Sequence, residues 1–194
     1  MVKWYKTYLE VYGKSFDEIS DDSIRKVKRQ LKECQNDSPL VSVVLIAHNE
    51  ERHLISCIWS LSENHCHFPI EIIAVNNNST DKTEEVLKSL GVTYYNETKK
   101  GPGYARQCGL DHAKGEFISF IDSDDFVDPE MFYDMMNGIM NSSADAAVCD
   151  IKLVYDDKTE RVWPCTNSAK TDAFEAVIDM PMMASSCNKI IRKS

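Results

Sequence analysis

The sequence predicts an α/β fold built on a mostly parallel sheet with helices on its faces, preceded by a helical extension. Three observations predict it. Apolar, β-branched runs alternate with segments of helical periodicity from Leu40 to Ile121, the order expected of strands joined by helical crossovers. The last of those runs, Phe117–Ile121, stops on Asp122, Asp124 and Asp125. Polar clusters also follow the two earlier runs, and open α/β sheets place ligands at the carboxyl ends of their strands.

Residues 1–38 read as a helical extension and linker, and 39–194 as the main domain. Trp4, Tyr5, Tyr8, Leu9 and Tyr12 recur at helical spacing and form one aromatic stripe. Asp22 is the expected cap of a second helix carrying Ile24, Val27 and Leu31. Both helices are expected to dock on the main domain. The competing use of the stripe, flanked by Lys3 and Lys6, is peripheral association with a membrane surface. Gln35–Pro39 has the composition of a linker.

In the main domain, Leu40–Ala47 is the first expected strand, and Asn49–Asn64 is a helix with Leu54, Ile55, Ile58 and Leu61 on one face. Ile70–Val75 is the second strand. Asp81–Leu90 is a helix, with Asp81 and Glu84 spaced as a capping box and Gly91 closing it. Val92–Tyr95, a helix over Tyr104–Ala113, and Phe117–Ile121 complete the alternation. Asp128-Pro129 opens a further helix through Met140. Ala146–Tyr155 and Arg161–Pro164 are expected to pair, Thr171–Asp179 to be helical, and Ser186–Arg192 to form a last strand or turn.

Composition narrows the function. Against 22 basic residues stand 31 acidic ones, and the net charge of -9 opposes attraction to nucleic acid or anionic lipid. Seven scattered cysteines without a Cys-x-x-Cys pair read as reduced thiols of a cytosolic protein. His65-Cys66-His67 is a weak metal motif, because adjacent residues rarely converge on one ion. No apolar segment approaches the ~18 residues of a membrane span. A cytoplasmic protein is expected, with the inner face of the membrane as the alternative location.

Strand ends on one edge bring three clusters together: Ala47–Glu51, Asn76–Asp81 and the carboxylates. Like charges this close repel, and a divalent cation is the simplest offset; Mg²⁺ or Mn²⁺ takes one or two carboxylates and leaves room for phosphates. Asn and Asp side chains match the hydrogen-bonding edges of a base and the hydroxyls of a ribose. Lys100–Arg106 adds positive charge and a glycine-containing helix start that can approach phosphate.

Four ordered segments, Val41–Glu51, Val75–Asp81, Gly103–Arg106 and Phe120–Asp125, resemble the family 2 glycosyltransferases of GT-A fold, a Rossmann-like architecture. A weaker echo lies in Ser186–Lys193. The resemblance implies transfer of a hexosyl group from a nucleoside-diphosphate sugar, with a UDP-sugar favoured, to a hydroxyl of a glycan or lipid-linked acceptor, with inversion and with Mn²⁺ or Mg²⁺. It implies that Ala47, His48 and Glu50 line the base and ribose pocket, that Asn77 faces the base, and that Arg106 helps hold the nucleotide. Asp122 would touch ribose or metal, and Asp124 the metal. Ile46 and His48 stand where the family often has Pro and Tyr, and Asn76 and Asn77 where it often has paired Asp. In relatives the proton acceptor tends to follow the segment matched by Asn188–Lys193. A shortened chain that binds donor and transfers poorly is therefore expected, with Asp172, Glu175 and Asp179 as remaining candidates.

Three other classes fit less well. A phosphotransferase with an Asp-x-Asp nucleophile usually carries it on the first strand, followed by Thr; here Phe126 follows. A dinucleotide-binding oxidoreductase needs a third glycine beyond Gly101 and Gly103. A non-catalytic nucleotide-sugar-binding module remains as the alternative to transfer.

Overall fold

Strands form where Val, Ile and Phe concentrate. The computed structural model describes residues 5–155, 159–164 and 187–193. Its strands are β1 (Val41–Ala47), β2 (Ile70–Asn77), β3 (Thr93–Glu97), β4 (Phe117–Asp122), β5 (Ala146–Val148), β6 (Ile151–Val154), β7 (Glu160–Trp163) and β8 (Lys189–Arg192). Six of them make one sheet in the order β3-β2-β1-β4-β8-β5, in which β3, β2, β1 and β4 are parallel and β8 runs antiparallel to both its neighbours. The mixed α/β sheet flanked by helices is the expected architecture.

The last strands differ from expectation. Ala146–Tyr155 is two strands: β5 joins the main sheet through β8, whereas β6 pairs with β7 in a separate ribbon. The division falls at Cys149, whose amide donates to the Asn188 carbonyl at 3.0 Å, while Asn188 Nδ2 donates to the Cys149 carbonyl at 3.0 Å. These bonds end the β5 pairing, and the chain turns away from the sheet. Thr171–Asp179 lies outside the described residues.

Side chains alternate across the sheet. Val41, Val43, Leu45 and Ala47 of β1, with Ile70, Ile72 and Ala74 of β2, face one core; Val44, Ile73, Val75 and Ile118 face a smaller one. The larger core is covered by α3 (Leu54–Ser62), α4 (Thr83–Leu90) and α6 (Met131–Ser142), whose Ile58, Leu87 and Met136 are fully buried. The smaller is covered by α5 (Pro102–His112) through Ala105 and Cys108. By the same alternation Asn77 and Asp122 lie on the α5 side of their strand ends.

The amino-terminal helices, α1 (Lys6–Leu9) and α2 (Asp21–Cys34), dock as expected. Val27 and Leu31 of α2 are buried, each contributing roughly 1.5–3 kcal/mol, which outweighs the small intrinsic propensity of a charged helix. The cap is Ser20, not Asp22: its hydroxyl accepts the Ser23 amide at 3.2 Å, and Asp22 instead pairs with Arg25. Tyr5, Tyr8 and Val11 are buried in the larger core, so much of the aromatic stripe is consumed by packing. Tyr8 donates to Glu63 at 2.9 Å; burial raises its hydroxyl's pKa, and the Glu63 charge adds to the rise. Gln35, expected in a linker, extends the sheet: its side chain donates to the Ile72 carbonyl at 3.0 Å and accepts the Ile72 amide at 2.9 Å. No described helix is long and apolar enough to cross a membrane.

Two glycines set the sheet's neighbours close. A Cβ on Gly109 of α5 would meet Val44 at 2.2 Å, and one on Gly115, before β4, would meet the Ser42 amide nitrogen at 2.6 Å. The first holds α5 against β1; the second lets the Gly115 amide reach the Ser42 hydroxyl at 2.8 Å. Gly115→Ala is therefore expected to lower stability by about 1–3 kcal/mol through overpacking against backbone. Gly138→Ala, with open space around it in α6, should raise stability by roughly 0.5–1 kcal/mol. Urea unfolding of the two variants checks both signs.

Candidate active site

Residues at the carboxyl ends of β1, β2 and β4 converge with the start of α5 on one cavity of about 270 Å³. Ala47, His48 and Glu50 come from the first loop, Asn77 from the end of β2, Asp122, Ser123 and Asp124 from the acidic turn, and Lys100, Gly101 and Pro102 from the α5 start. A larger groove, about 680 Å³, lies at the opposite edge among Gln30, Cys34, His65 and Ile70. It carries none of the strand-end carboxylates, so the smaller cavity is the candidate site. The His65-Cys66-His67 segment lines that outer groove, where His65 Nδ1 pairs with Glu130 at 2.6 Å.

The loops are laced before any ligand is considered. His48 Nδ1 donates to the Asn77 carbonyl at 2.6 Å, which leaves Nε2 as the other ring nitrogen to act. Asn49, at φ 58°, accepts the Thr80 amide at 2.7 Å, and its own amide donates to Ser79 Oγ at 3.0 Å. Asn is among the residues that tolerate this left-handed backbone. Glu50 and Thr83 join at 2.8 Å; the Glu51 amide donates to Asp81 at 3.1 Å, and Glu51 accepts the Lys82 amide at 3.0 Å. Burial opposes the Asp81 charge, yet hydrogen bonds from Thr83 and Glu51 outweigh it and hold the carboxyl below its ordinary pKa. The expected Asp81–Glu84 capping box is thus absent: Asp81 serves Thr83 and Glu51, and Glu84 accepts from Tyr94 at 2.9 Å.

Asn76 and Asn77 finish β2 rather than follow it. Asn77 is 4% exposed, and its amide is used on backbone: Nδ2 donates to the Glu97 and Lys99 carbonyls at 3.1 and 2.7 Å, and Oδ1 accepts the Gly101 amide at 2.9 Å. Asn77 touches the cavity, but these hydrogen bonds go to the 97–101 loop that carries Lys100. Asn76 Nδ2 donates to Asn96 on β3 at 2.9 Å.

Arg106 Nη2 donates to Asp122 Oδ1 at 3.0 Å, while its buried Nε has no partner among the described residues. Asp124 is exposed on the cavity wall. Asp125, legible as the third carboxylate but given no role from sequence, forms with Asp122 and Cys187 a group whose ligand atoms lie within 4.8 Å of one another. Cys187 falls inside the weak Ser186–Lys193 echo but has no role of its own there; it reaches the acidic turn from just ahead of β8. Lost hydration pushes the Asp125 carboxyl up to about 6, the charges of Asp124 and Asp122 add to the rise, and a hydrogen bond with Cys187 opposes it. Part of the side chain still faces solvent, which keeps the cost to stability well below what the shift alone implies. Oxygen donors from Asp122 and Asp124 suit Mg²⁺ or Mn²⁺, whereas a thiol suits softer ions. The turn is anchored beneath: Cys57 lies 3.6 Å from the Asp122 carbonyl, and the Val127 amide donates to Ser60 Oγ at 3.2 Å.

A sheet with this order and this strand-end cavity is a GT-A arrangement, and comparison with known proteins agrees. The chain belongs to the family described as Glycosyl transferase family 2, which matches residues 42–194. An uncharacterized glycosyltransferase of Haemophilus influenzae is 30% identical over 140 residues, covering 62% of this chain and 54% of that one. The poly(ribitol-phosphate) beta-N-acetylglucosaminyltransferase TarS of Staphylococcus aureus is 29% identical over 120 residues, 57% of this chain and 21% of that one. The crystal structure of TarS with UDP-GlcNAc superposes with a TM-score of 0.59 at 24% identity, over 78% of this chain and 45% of that one. A mannosyltransferase of Pyrobaculum calidifontis, in complex with GDP-Man and Mn²⁺, has a TM-score of 0.52 at 22% identity, over 65% of this chain and 41% of that one. The chain thus spans about half the length of relatives it matches, 54% and 48% for two of them.

In metal-free protein, Asp125 binds its proton more tightly folded than unfolded. Stability is therefore expected to fall as pH rises from the unfolded carboxyl value, about 4, to about 6, and to change no further on this account. Asp125→Asn should remove that decline, as measured by urea midpoints across the range.

Proposed function

We propose that this chain is the nucleotide-sugar-binding part of a glycosyltransferase that moves a hexosyl group from a nucleoside-diphosphate sugar, a UDP-sugar foremost, to a hydroxyl of a glycan or lipid-linked acceptor, with inversion. The observation that carries the reading is the shared cavity: Asp122 and Asp124 line it together with Ala47, His48 and Glu50, and with Lys100 and the α5 start. Complexes of GT-A relatives with UDP-GlcNAc, and with GDP-Man and Mn²⁺, support it.

Each residue has a chemical task in this reading. Ala47 gives an apolar wall for a base, and Glu50 accepts from ribose hydroxyls. His48, its Nδ1 already used, offers Nε2. Asn77 acts at one remove by holding the 97–101 loop, so that Lys100 and the start of α5 meet phosphate charge. Arg106 holds the Asp122 carboxylate in place and offers the rest of its guanidinium to the nucleotide. Asp122 and Asp124 would hold the Mn²⁺ or Mg²⁺, which when bound supplies neutralisation of charge growing on the departing diphosphate. The candidates for proton acceptor, Asp172, Glu175 and Asp179, lie outside the described residues. The protein would work in the cytoplasm, with the inner face of the membrane as the alternative location.

A thermal-shift screen of nucleoside-diphosphate sugars with and without Mn²⁺ tests the reading. A ligand at a hundred times its Kd should stabilise the fold by about 2.7 kcal/mol. Asp124→Ala is expected to abolish the metal-dependent part of the shift and leave the ligand-free melting temperature near wild type. Absence of any nucleotide-dependent shift in the wild type overturns the proposal, and donor binding without hydrolysis or transfer favours the non-catalytic alternative.

Asn77→Ala separates scaffold from ligand contact. It leaves the Gly101 amide and two carbonyls without their partner, so stability should fall by about 1–3 kcal/mol even without nucleotide. Urea unfolding of the ligand-free variant reads that loss.

A further inference from the structure

Residues 5–41 lie outside the stretch matched by the family, yet they touch the supports of the cavity. The contacts converge on Tyr12. Its ring packs on the His53 imidazole, centroids 4.6 Å apart at 35°, and on the edge of Phe126, 5.3 Å at 66°. His53 Nδ1 donates to Glu50 Oε2 at 2.8 Å, and Phe126 directly follows Asp125. One ring therefore braces both the loop after β1 and the acidic turn after β4. Gly13, at φ 77°, reverses the chain just beyond it: its amide donates to the Arg52 carbonyl at 2.9 Å, and Arg52 Nη1 donates back to the Gly13 carbonyl at 3.2 Å. That two-way clasp locks Tyr12 against His53.

The arrangement exceeds what core packing requires. Tyr12 is 38% exposed, unlike Tyr8 at 1%, so it fills no core volume that the fold depends on. What it does is close a second face on two side chains that other groups already hold, His53 through Glu50 and Phe126 through Tyr8, whose ring centroid lies 5.7 Å away. An imidazole free to turn gives a partly exposed carboxylate little, because ordering both groups costs entropy. With the imidazole held between Tyr12 and the loop, that ordering is complete before a ligand arrives, which is where affinity is gained.

We propose that Tyr12 is a positioning residue of the donor cavity, acting through His53 on the Glu50 carboxylate and through Phe126 on the acidic turn. The inference rests on the reading above that Glu50 and Asp124 line the donor site. It assigns the amino-terminal segment a role in ligand affinity and not in folding alone.

The test combines amide exchange with binding of UDP and of GDP, each with Mn²⁺, to the full chain. Tyr12→Ala is expected to speed exchange at residues 49–53 and 123–127 and to leave 97–101, held by Asn77, unchanged. It should weaken nucleotide binding roughly two- to tenfold, the equivalent of losing aromatic contacts. Tyr12→Phe, which keeps the ring, should behave as wild type. Glu50→Gln should weaken binding by itself, and adding Tyr12→Ala to it should cost less than Tyr12→Ala costs alone, since the two act in one chain of contacts. Should Tyr12→Ala unfold, His53→Ala carries the same test from the other side and should weaken binding to a similar degree. Wild-type exchange and affinity in Tyr12→Ala or, if it unfolds, wild-type affinity in His53→Ala overturns the inference, and so does full additivity with Glu50→Gln. Wild-type affinity in Glu50→Gln, or no nucleotide binding by the wild type, overturns the donor-site reading instead; loop exchange in Tyr12→Ala then still reports whether the brace exists.

Discussion

Negative charge crowded at the end of β4 is the constraint around which the other elements are arranged. Phe117 and Ile121 anchor the strand in the core, so Asp122 to Asp125 cannot drift apart. Three carboxylates held together must each find a different accommodation. Asp122 pairs with Arg106, Asp125 is driven toward its protonated form, and Asp124 faces the cavity. Of the three, Asp124 is the one exposed on the cavity wall, which is why the proposed cation site is set on it and on Asp122.

Holding Arg106 opposite Asp122 sets demands on α5. Gly109 lets the helix lie directly on Val44, and Lys193 Nζ donates to the Leu110 and Ala113 carbonyls at the helix's far end, at 3.2 and 2.6 Å. A cation there also complements the helix dipole. The helix start is fixed by Asn77 through Gly101. Thus the same strand ends that present the cavity also tie down the element carrying its positive charge. Asparagine suits this task better than aspartate, because one amide can donate to two carbonyls and accept an amide at once.

The sheet's antiparallel insertion has a comparable consequence. β8 enters between β4 and β5, and its preceding residues, Cys187 and Asn188, arrive beside the acidic turn and Cys149. From Cys149 the chain leaves the sheet for the β6–β7 ribbon, where Tyr5 reaches Glu160. The amino-terminal segment therefore touches the ribbon, the acidic turn and the first loop, and it links parts of the molecule that the sheet itself keeps separate.

The sequence by itself determined the alternation of strands and helices, the parallel sheet, and the three polar clusters on one edge. Those are local properties: β-branched runs, helical periodicity and carboxylates at a strand end are written in consecutive residues. Only the tertiary structure decided how these groups are spent. That Asn77 holds a loop, that Asp81 serves Thr83 instead of forming a box with Glu84, that Ala146–Tyr155 splits between two sheets, and that Tyr12 reaches His53 all depend on partners distant in the chain. A side chain's hydrogen-bonding capacity is readable from its identity, but which neighbour claims it is set by packing, and packing is settled only when the whole chain has folded.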